Sequence, residues 1–278
     1  MSRTSSKRPV TPCFLSPPTL STTAILREPF TTSLGITICA ENMPWAEGTA
    51  GFFLAVPGVN KLFLVTARHV LFPRSKNEPF ECTDESQARY NVLVLSETSF
   101  QRQLISIRGE VDNRDIIVAV QGRRIEGVRG PEDAVSKAIR EDAELEVKKA
   151  KARAKALTVF YWKLSGRWST DRSRLLGHVV YSPPIVASTG TNQQQYTQDI
   201  AVVEIDSKEI KPNDFPGNFV DLGTKYTPVE LTHKMQPNTR NRRNFAYPGN
   251  RLFKLRGTIS KCESRRCWTG TAPPVSPS

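Results

Sequence analysis

The fold prediction starts from the stretch GTAGFFLAVPGVNKLFLVTARHV, residues 48–70. Two apolar runs within it, at 49–56 and 61–67, are rich in Phe, Leu, Val and Thr, a composition that favours β-strands. The residues between them, 57–60, read PGVN and form a turn signal. The stretch therefore predicts an antiparallel hairpin whose second strand is followed at once by His69.

Further short apolar runs lie on both sides of this hairpin. One precedes it at 35–40, and three follow at 91–96, 103–108 and 116–120. Short strands at close spacing, without helices between them, are typical of antiparallel barrels and sandwiches. We therefore predict a β-domain in this part of the chain.

The pattern becomes helical near residue 130. The tetrapeptide GPED at 130–133 combines a helix-starting proline with two acids that suit the positive end of the helix dipole. Residues 134–164 are rich in Ala, Glu, Lys and Arg, which favour helix, and we predict one exposed helix there, within an insertion at about 122–168. Without a sustained heptad, no coiled-coil partner is expected. A basic cluster on this helix is interpreted as a solvated face: Lys148, Lys149, Lys151, Arg153 and Lys155.

Composition limits the classes of protein that need consideration. The net charge is +12, which favours acidic partners, and no apolar run is long enough for a transmembrane helix, so no membrane partner is expected. Residues 1–30 are rich in Ser, Thr and Pro and have no apolar signal segment, so they are predicted to be a disordered leader of an intracellular, cytoplasmic protein. Residues 260–278 are predicted to be a disordered tail.

The cysteines predict neither disulfides nor a metal centre. There are five, at irregular positions, and no second pair of Cys or His completes a zinc pattern. They are interpreted as reduced thiols, and no metal or cofactor is expected. The five are Cys13, Cys39, Cys82, Cys262 and Cys267.

Two short motifs indicate a function. The strand ending Thr66-Ala67-Arg68-His69 resembles the Thr-Ala-Ala-His stretch of trypsin-like proteases. Downstream, residues 199–202, Asp-Ile-Ala-Val, resemble the Asp-Ile-Ala-Leu stretch that holds the catalytic aspartate of the same family. The resemblance implies that His69 is a general base and that Asp199 orients and stabilises its ring.

The resemblance extends from about residue 35 to 259 and is to degenerate trypsin-like proteins of fungal type, which share a long helical insert and the motifs RWST (167–170) and SPP (182–184). It implies an all-β, chymotrypsin-like antiparallel barrel at 31–210 with a helical insertion. A partial second barrel is expected at 211–259. The expected activity is hydrolysis of peptide bonds in a polypeptide substrate.

The nucleophile of this family is not found in the sequence. The expected Gly-Asp-Ser-Gly should follow Asp199, but the later serines, at 207, 260, 264, 276 and 278, lack flanking glycines, and neither Cys262 nor Cys267 has them. Three explanations stay open: a C-terminally incomplete protease, a pseudoenzyme that uses the barrel for binding, or an unrelated β-domain. A second functional hypothesis is a non-catalytic module that binds acidic protein or nucleic acid through the basic helix. The sequence gives no prediction of oligomeric state.

Overall fold

The computed structural model describes residues 23–56, 58–84, 86–130, 133–189, 196–223, 226–236 and 245–255. The helices are α1 (Ala24–Arg27), α2 (Arg68–Leu71), α3 (Glu97–Gly127), α4 (Ala134–Arg167) and α5 (Pro228–Met235). The strands are β1 (Thr37–Ala40), β2 (Glu47–Thr49), β3 (Phe52–Ala55), β4 (Leu62–Thr66), β5 (Phe80–Glu81), β6 (Asn91–Val94), β7 (Leu175–Ser182), β8 (Val186–Thr189), β9 (Tyr196–Gln198), β10 (Ala201–Ile205), β11 (Phe219–Asp221) and β12 (Leu252–Lys254). Within the described ranges, no helix combines the length and apolar character needed to cross a bilayer.

One antiparallel sheet forms the body of the molecule. Seven of its eight strands are hydrogen-bonded in the order β2-β1-β6-β7-β10-β4-β3. The eighth strand, β5, lies outside this order and pairs with β7. The predicted hairpin is confirmed, because β3 pairs with β4 in antiparallel register from Phe52↔Val65 to Ala55↔Leu62. The prediction of an antiparallel β-domain is therefore confirmed.

The two ends of this sheet meet, so the sheet curls like a barrel. The end strands β2 and β3 are separated in the chain only by Ala50 and Gly51. The Ala50 N–H donates to the Ile36 carbonyl at 2.9 Å, and the Gly51 N–H donates to the Val65 carbonyl at 3.0 Å. One bent segment thus bonds to both ends of the sheet, and the inward residues of the strands form a single buried core.

A long helical hairpin is inserted between β6 and β7. Helix α3 has 31 residues and α4 has 34, and they pack against each other along their length. The predicted helix is confirmed as α4, whose N-cap Asp133 accepts hydrogen bonds from the backbone of Val135 and Ser136 at 3.0 and 2.8 Å. The insertion begins at Glu97, well before the predicted residue 122. With two such helices, the prediction of an all-β chain was wrong.

The strands predicted at 103–108 and 116–120 were also wrong, because both lie inside α3. The residues of α3 on the packed side recur at alternating steps of four and three: Phe100, Leu104, Ile107, Val111, Arg114, Val118, Gln121 and Ile125. On α4 four of the five buried positions, 143, 150, 157 and 164, are seven residues apart. The hairpin is therefore an intramolecular coiled coil, and the partner helix that we did not expect is α3.

The described part of the chain includes residues 23–30, which belong to the predicted leader of residues 1–30. Phe30 is fully buried, and its ring packs edge-on against Trp168 at a centroid distance of 4.9 Å. It also contacts Phe100 of α3 and Phe160 of α4. Phe30 thus joins the base of the helical hairpin to the core. The rest of the leader, 1–22, and the tail from 256 lie outside the described residues.

Two small sheets complete the described chain. Strand β8 pairs with β9, and β11 pairs with β12. The described part of 211–259 is thus a two-stranded ribbon with helix α5, where a partial barrel was predicted. Asn218 connects this ribbon to the sheet, because its side-chain amide bonds both the N–H and the carbonyl of Phe53 at 2.8 Å.

Candidate functional site

Neighbouring strand ends bring the two predicted site residues together. Strands β4 and β10 are antiparallel neighbours, and Thr66 at the end of β4 pairs with Ala201 at the start of β10. The chain leaves β4 directly into α2, whose second residue is His69, while Asp199 lies two residues before β10. Because the end of one strand lies beside the start of the other, a separation of 130 residues in sequence becomes a contact in space.

His69 and Asp199 form a two-point hydrogen-bonded pair. The ring Nδ1 of His69 lies 2.5 Å from Oδ2 of Asp199, and the backbone N–H of His69 donates to Oδ1 at 3.1 Å. The side chain of His69 is 51% exposed, whereas that of Asp199 is 22% exposed. The second ring nitrogen, Nε2, makes no hydrogen bond to any described residue. The carboxylate therefore fixes the ring while the other side of the ring stays open to solvent.

The environment of Asp199 favours its ionised form. Burial raises the pKa of this carboxyl, but hydrogen bonds from the His69 ring and from the backbone N–H groups of His69 and Arg68 lower it by more. The resulting pKa lies below the ordinary value for an aspartate. An ionised carboxylate only accepts hydrogen bonds, so the proton of a neutral His69 ring is placed on Nδ1. The Nε2 lone pair is then free to accept a proton.

Arg68 holds the backbone from which His69 projects. It is 2% exposed, and its guanidinium donates to the carbonyl and the hydroxyl oxygen of Ser182 at 3.0 and 2.8 Å. It also donates to the carbonyls of Lys76 and Glu78 at 3.0 and 2.5 Å. Burial lowers the pKa of Arg68, and nearby negative groups, including Asp199, oppose that shift.

Sequence reasoning did not identify Arg68 as part of the site. Its guanidinium lies 4.2 Å from the centroid of the Phe72 ring and joins α2, the end of β7 and the loop after Phe72. The sequence did indicate that Arg68 has hydrogen-bonding partners, because a charged residue directly after a buried strand needs them. The partners themselves, up to 114 residues away, carry no mark in the sequence.

No described serine after Asp199 lies near His69. Ser207 is the only candidate within the described residues, and it follows the far end of β10. The strand alone, 201–205, spans about 13 Å at ~3.3 Å per residue. The remaining candidates, at 260, 262, 264, 267, 276 and 278, lie outside the described residues.

Ser207 instead lines a cavity of about 360 Å³ at that far end, together with His178, Glu204 and Asp206. Burial, followed by the charge of Arg89, lowers the pKa of His178. Among the described residues, neither a serine–histidine nor a histidine–carboxylate hydrogen bond occurs in this cavity. No group of three or more His, Cys, Asp or Glu side chains within the described ranges is arranged to hold a metal ion.

No model of a protein family, no curated protein and no solved structure matches this chain.

Proposed function

We propose that this chain is a homologue of chymotrypsin-like serine proteases that has kept the general base, His69, and its orienting carboxylate, Asp199. In this proposal the curled sheet is the first barrel of that fold, and α3 and α4 are a long insertion between two of its strands. Together the two helices supply half of the 130 residues between His69 and Asp199. The insertion thus explains why the two motifs stand so far apart, since loop closure costs little more for a longer loop.

The observation that carries the proposal is the double contact between the two residues. Asp199 accepts both the ring Nδ1–H and the backbone N–H of His69. A carboxylate that only happened to lie near a histidine would need no backbone bond to the same residue. The two bonds set the position and the rotation of the ring, which is the requirement for a general base.

The chemistry available to this pair is proton transfer. Nε2 of His69 accepts the proton of an attacking hydroxyl, and Asp199 stabilises the imidazolium that forms. Acyl transfer also needs a hydroxyl within hydrogen-bond reach and N–H donors for the oxyanion. Because no serine downstream has the glycine frame that supplies those donors, we propose that the chain as given does not hydrolyse peptides by itself.

Asp199→Asn tests the pair directly by changing the tautomer of His69. The asparagine amide donates a hydrogen bond where the carboxylate accepted one, so the proton of the neutral ring is expected to move from Nδ1 to Nε2. The measurement is ¹⁵N–¹H NMR of the imidazole at a pH where the ring is neutral. His69→Gln assigns its signals among the three histidines of the chain.

Asp206→Asn is the matched control, because Asp206 lies at the other end of β10 and caps the backbone N–H of Lys208. The His69 signals are expected to be unchanged in this variant. A wild-type ring protonated mainly on Nε2 would show that the carboxylate does not hold His69 in solution, and the proposal would fail.

A fluorophosphonate probe tests the second half of the proposal. Such probes phosphonylate a serine only when an adjacent base activates its hydroxyl. We expect less than about one-hundredth of the purified chain to be labelled under conditions that label an active serine protease fully. Stoichiometric labelling that disappears in His69→Ala would reveal an activated serine and overturn this part of the proposal.

A further inference from the structure

Helix α4 has a packed face and a solvent face of different chemistry. Four of its buried positions, Ala143, Ala150, Leu157 and Leu164, lie along one side of the helix, and α4 packs against α3 along its length. At 3.6 residues per turn, the opposite side of the helix carries a row of exposed lysines. These are Lys148, Lys151, Lys155 and Lys163, and we call them the outward lysines.

The C-terminal two-thirds of α4 has no acid to balance its cations. After Glu146 the helix carries only basic charges up to its last residue, Arg167. Lys149 forms an ion pair with Glu146 at 2.8 Å, but none of the outward lysines forms an ion pair with a described residue. A solvated helix more often mixes the two signs, since pairs of opposite charge three or four residues apart stabilise it.

Two large apolar side chains lie among the outward lysines. Val159 is 62% exposed and Trp162 is 67% exposed. The ring of Trp162 packs edge-on against Tyr161 at a centroid distance of 5.4 Å, and Arg108 of α3 donates to the Tyr161 hydroxyl at 2.9 Å. The exposed indole is thus packed against a tyrosine whose hydroxyl is itself held by α3. A purely solvated face gives no reason to keep such a residue exposed.

We propose that the outward face of α4 binds nucleic acid through its phosphates, with the outward lysines as the contacts and Trp162 against the sugar or base edges. Residues 148–163 extend over about 24 Å at 1.5 Å per residue. Phosphates follow one strand of a duplex every ~3.4 Å along its axis, so the four lysines reach across about seven base pairs. This inference does not depend on the His69–Asp199 pair.

The arrangement favours a phosphate backbone over a bilayer. A helix that lies in a membrane surface presents a continuous apolar stripe to the acyl chains, with its cations at the sides. On α4, Lys148 and Lys155 stand at the centre of the outward face, in line with Val159 and Trp162. Insertion would force these ammonium groups into hydrocarbon, whereas phosphates meet them directly.

The test compares two variants of the full chain with the same net charge. In the first, the four outward lysines are changed to Gln. In the second, four exposed lysines outside α4 are changed to Gln: Lys76, Lys208, Lys211 and Lys254. The probes are a 20-base-pair DNA duplex of random sequence, the corresponding single strand, and vesicles containing anionic lipid. Binding is measured by fluorescence anisotropy and co-sedimentation between about 20 and 200 mM salt.

The wild-type chain is expected to bind a nucleic acid probe with a slope of log affinity against log salt of about −4. Loss of the outward lysines is expected to lower affinity about 100-fold at low salt and to make the slope shallower by about 3 to 4. The control variant is expected to lose less than about 5-fold.

Three outcomes would overturn the proposal. Equal losses in the two variants would mean that net charge alone attracts the probe. Binding to anionic vesicles without binding to either nucleic acid would assign the face to a membrane. If neither nucleic acid bound at the lowest salt concentration, the outward face of α4 would not be a nucleic acid binding surface.

Trp162→Ala reports on the indole separately, with an expected loss of about 5- to 10-fold in affinity for the single strand.

Discussion

Gly177→Ala is expected to prevent the sheet from folding stably, because strand β7 leaves no room for a side chain at that position. A Cβ on Gly177 would stand 2.0 Å from the carbonyl oxygen of Glu204 and 3.0 Å from Cα of Ile205. These are backbone atoms of β10, so no side-chain rotation relieves the clash. Gly177 is also paired on its other side, with Val92 of β6, and cannot retreat. We expect a loss of about 3 kcal/mol or more in the free energy of unfolding, measured by urea denaturation.

Gly122→Ala is the matched control for this substitution. Gly122 lies inside α3, and nothing stands within 4 Å of its Cβ position. Alanine is the better helix former there, so this variant is expected to gain about 0.5 to 1 kcal/mol. If Gly177→Ala unfolded at the same urea concentration as the wild type, the close approach of β7 and β10 would be wrong. The placement of Asp199 at the start of β10 would be in doubt with it.

Arg174→Ala is expected to release the base of the helical hairpin. The side chain of Arg174 is fully buried and donates to the Trp168 carbonyl and to Oε2 of Glu97, each at 2.8 Å, and it also pairs with Asp171. Its guanidinium lies 5.2 Å from the centroid of the Phe100 ring. One residue thus joins the first residue of α3, the end of α4 and the start of β7. Removing it leaves a cavity and takes a buried donor away from the Trp168 carbonyl and from the Glu97 carboxylate, with an expected loss of about 3 to 5 kcal/mol.

Arg124→Ala provides the control, because Arg124 pairs with Asp142 across the same hairpin but at an exposed position. Its loss is expected to cost less than about 1 kcal/mol. Limited proteolysis distinguishes the two cases further: Arg174→Ala should open cleavage sites near 168–174 in the otherwise folded chain. Similar stability for the two variants would show that Arg174 is not the residue that secures the hairpin.

The sequence predicted the strands around the site with useful accuracy. Runs at 35–40 and 61–67 correspond to β1 and β4, each within two residues at either end, and the motif at 199–202 lies at the start of β10. The first two runs are rich in β-branched and other large apolar residues, a composition that favours a β-strand. Because His69 and Asp199 lie directly beside such strands, their contact followed from strand pairing alone. Whether the pair performs catalysis stays a prediction.

Helix α3 was misread for a physical reason. Four of the five residues at 116–120, IIVAV, are β-branched, and so short an apolar run is ambiguous between strand and helix. The packed side of α3 includes Arg114 and Gln121, so its heptad pattern is not visible as a row of apolar residues. Without α3, the alanines of α4 had no partner, and the coiled coil could not be recognised from one helix alone.

The partners of the buried arginines were the other feature that the sequence did not reveal. Arg68 and Arg174 each bind groups from several elements, including residues 114 and 77 positions away. A cation is ordinarily read as a surface residue, and only the folded chain shows which carbonyls and carboxylates surround it. Their local sequence gives no indication of those partners.

The helical hairpin has a consequence for the order in which the chain acquires its structure. Strands β6 and β7 pair at Leu93↔Leu175 across the whole insertion, a contact that an unstructured loop of that length would close slowly. Helices α3 and α4 touch each other through contacts that are local around their turn, so they can zip up on a microsecond scale before the sheet exists. Once the helices have paired, β6 and β7 lie at the same end of the hairpin, and only the few residues between each helix and its strand still have to find their place. The insertion separates the histidine from the aspartate along the chain, but once it has formed it shortens the loop that must close to bring their strands into one sheet.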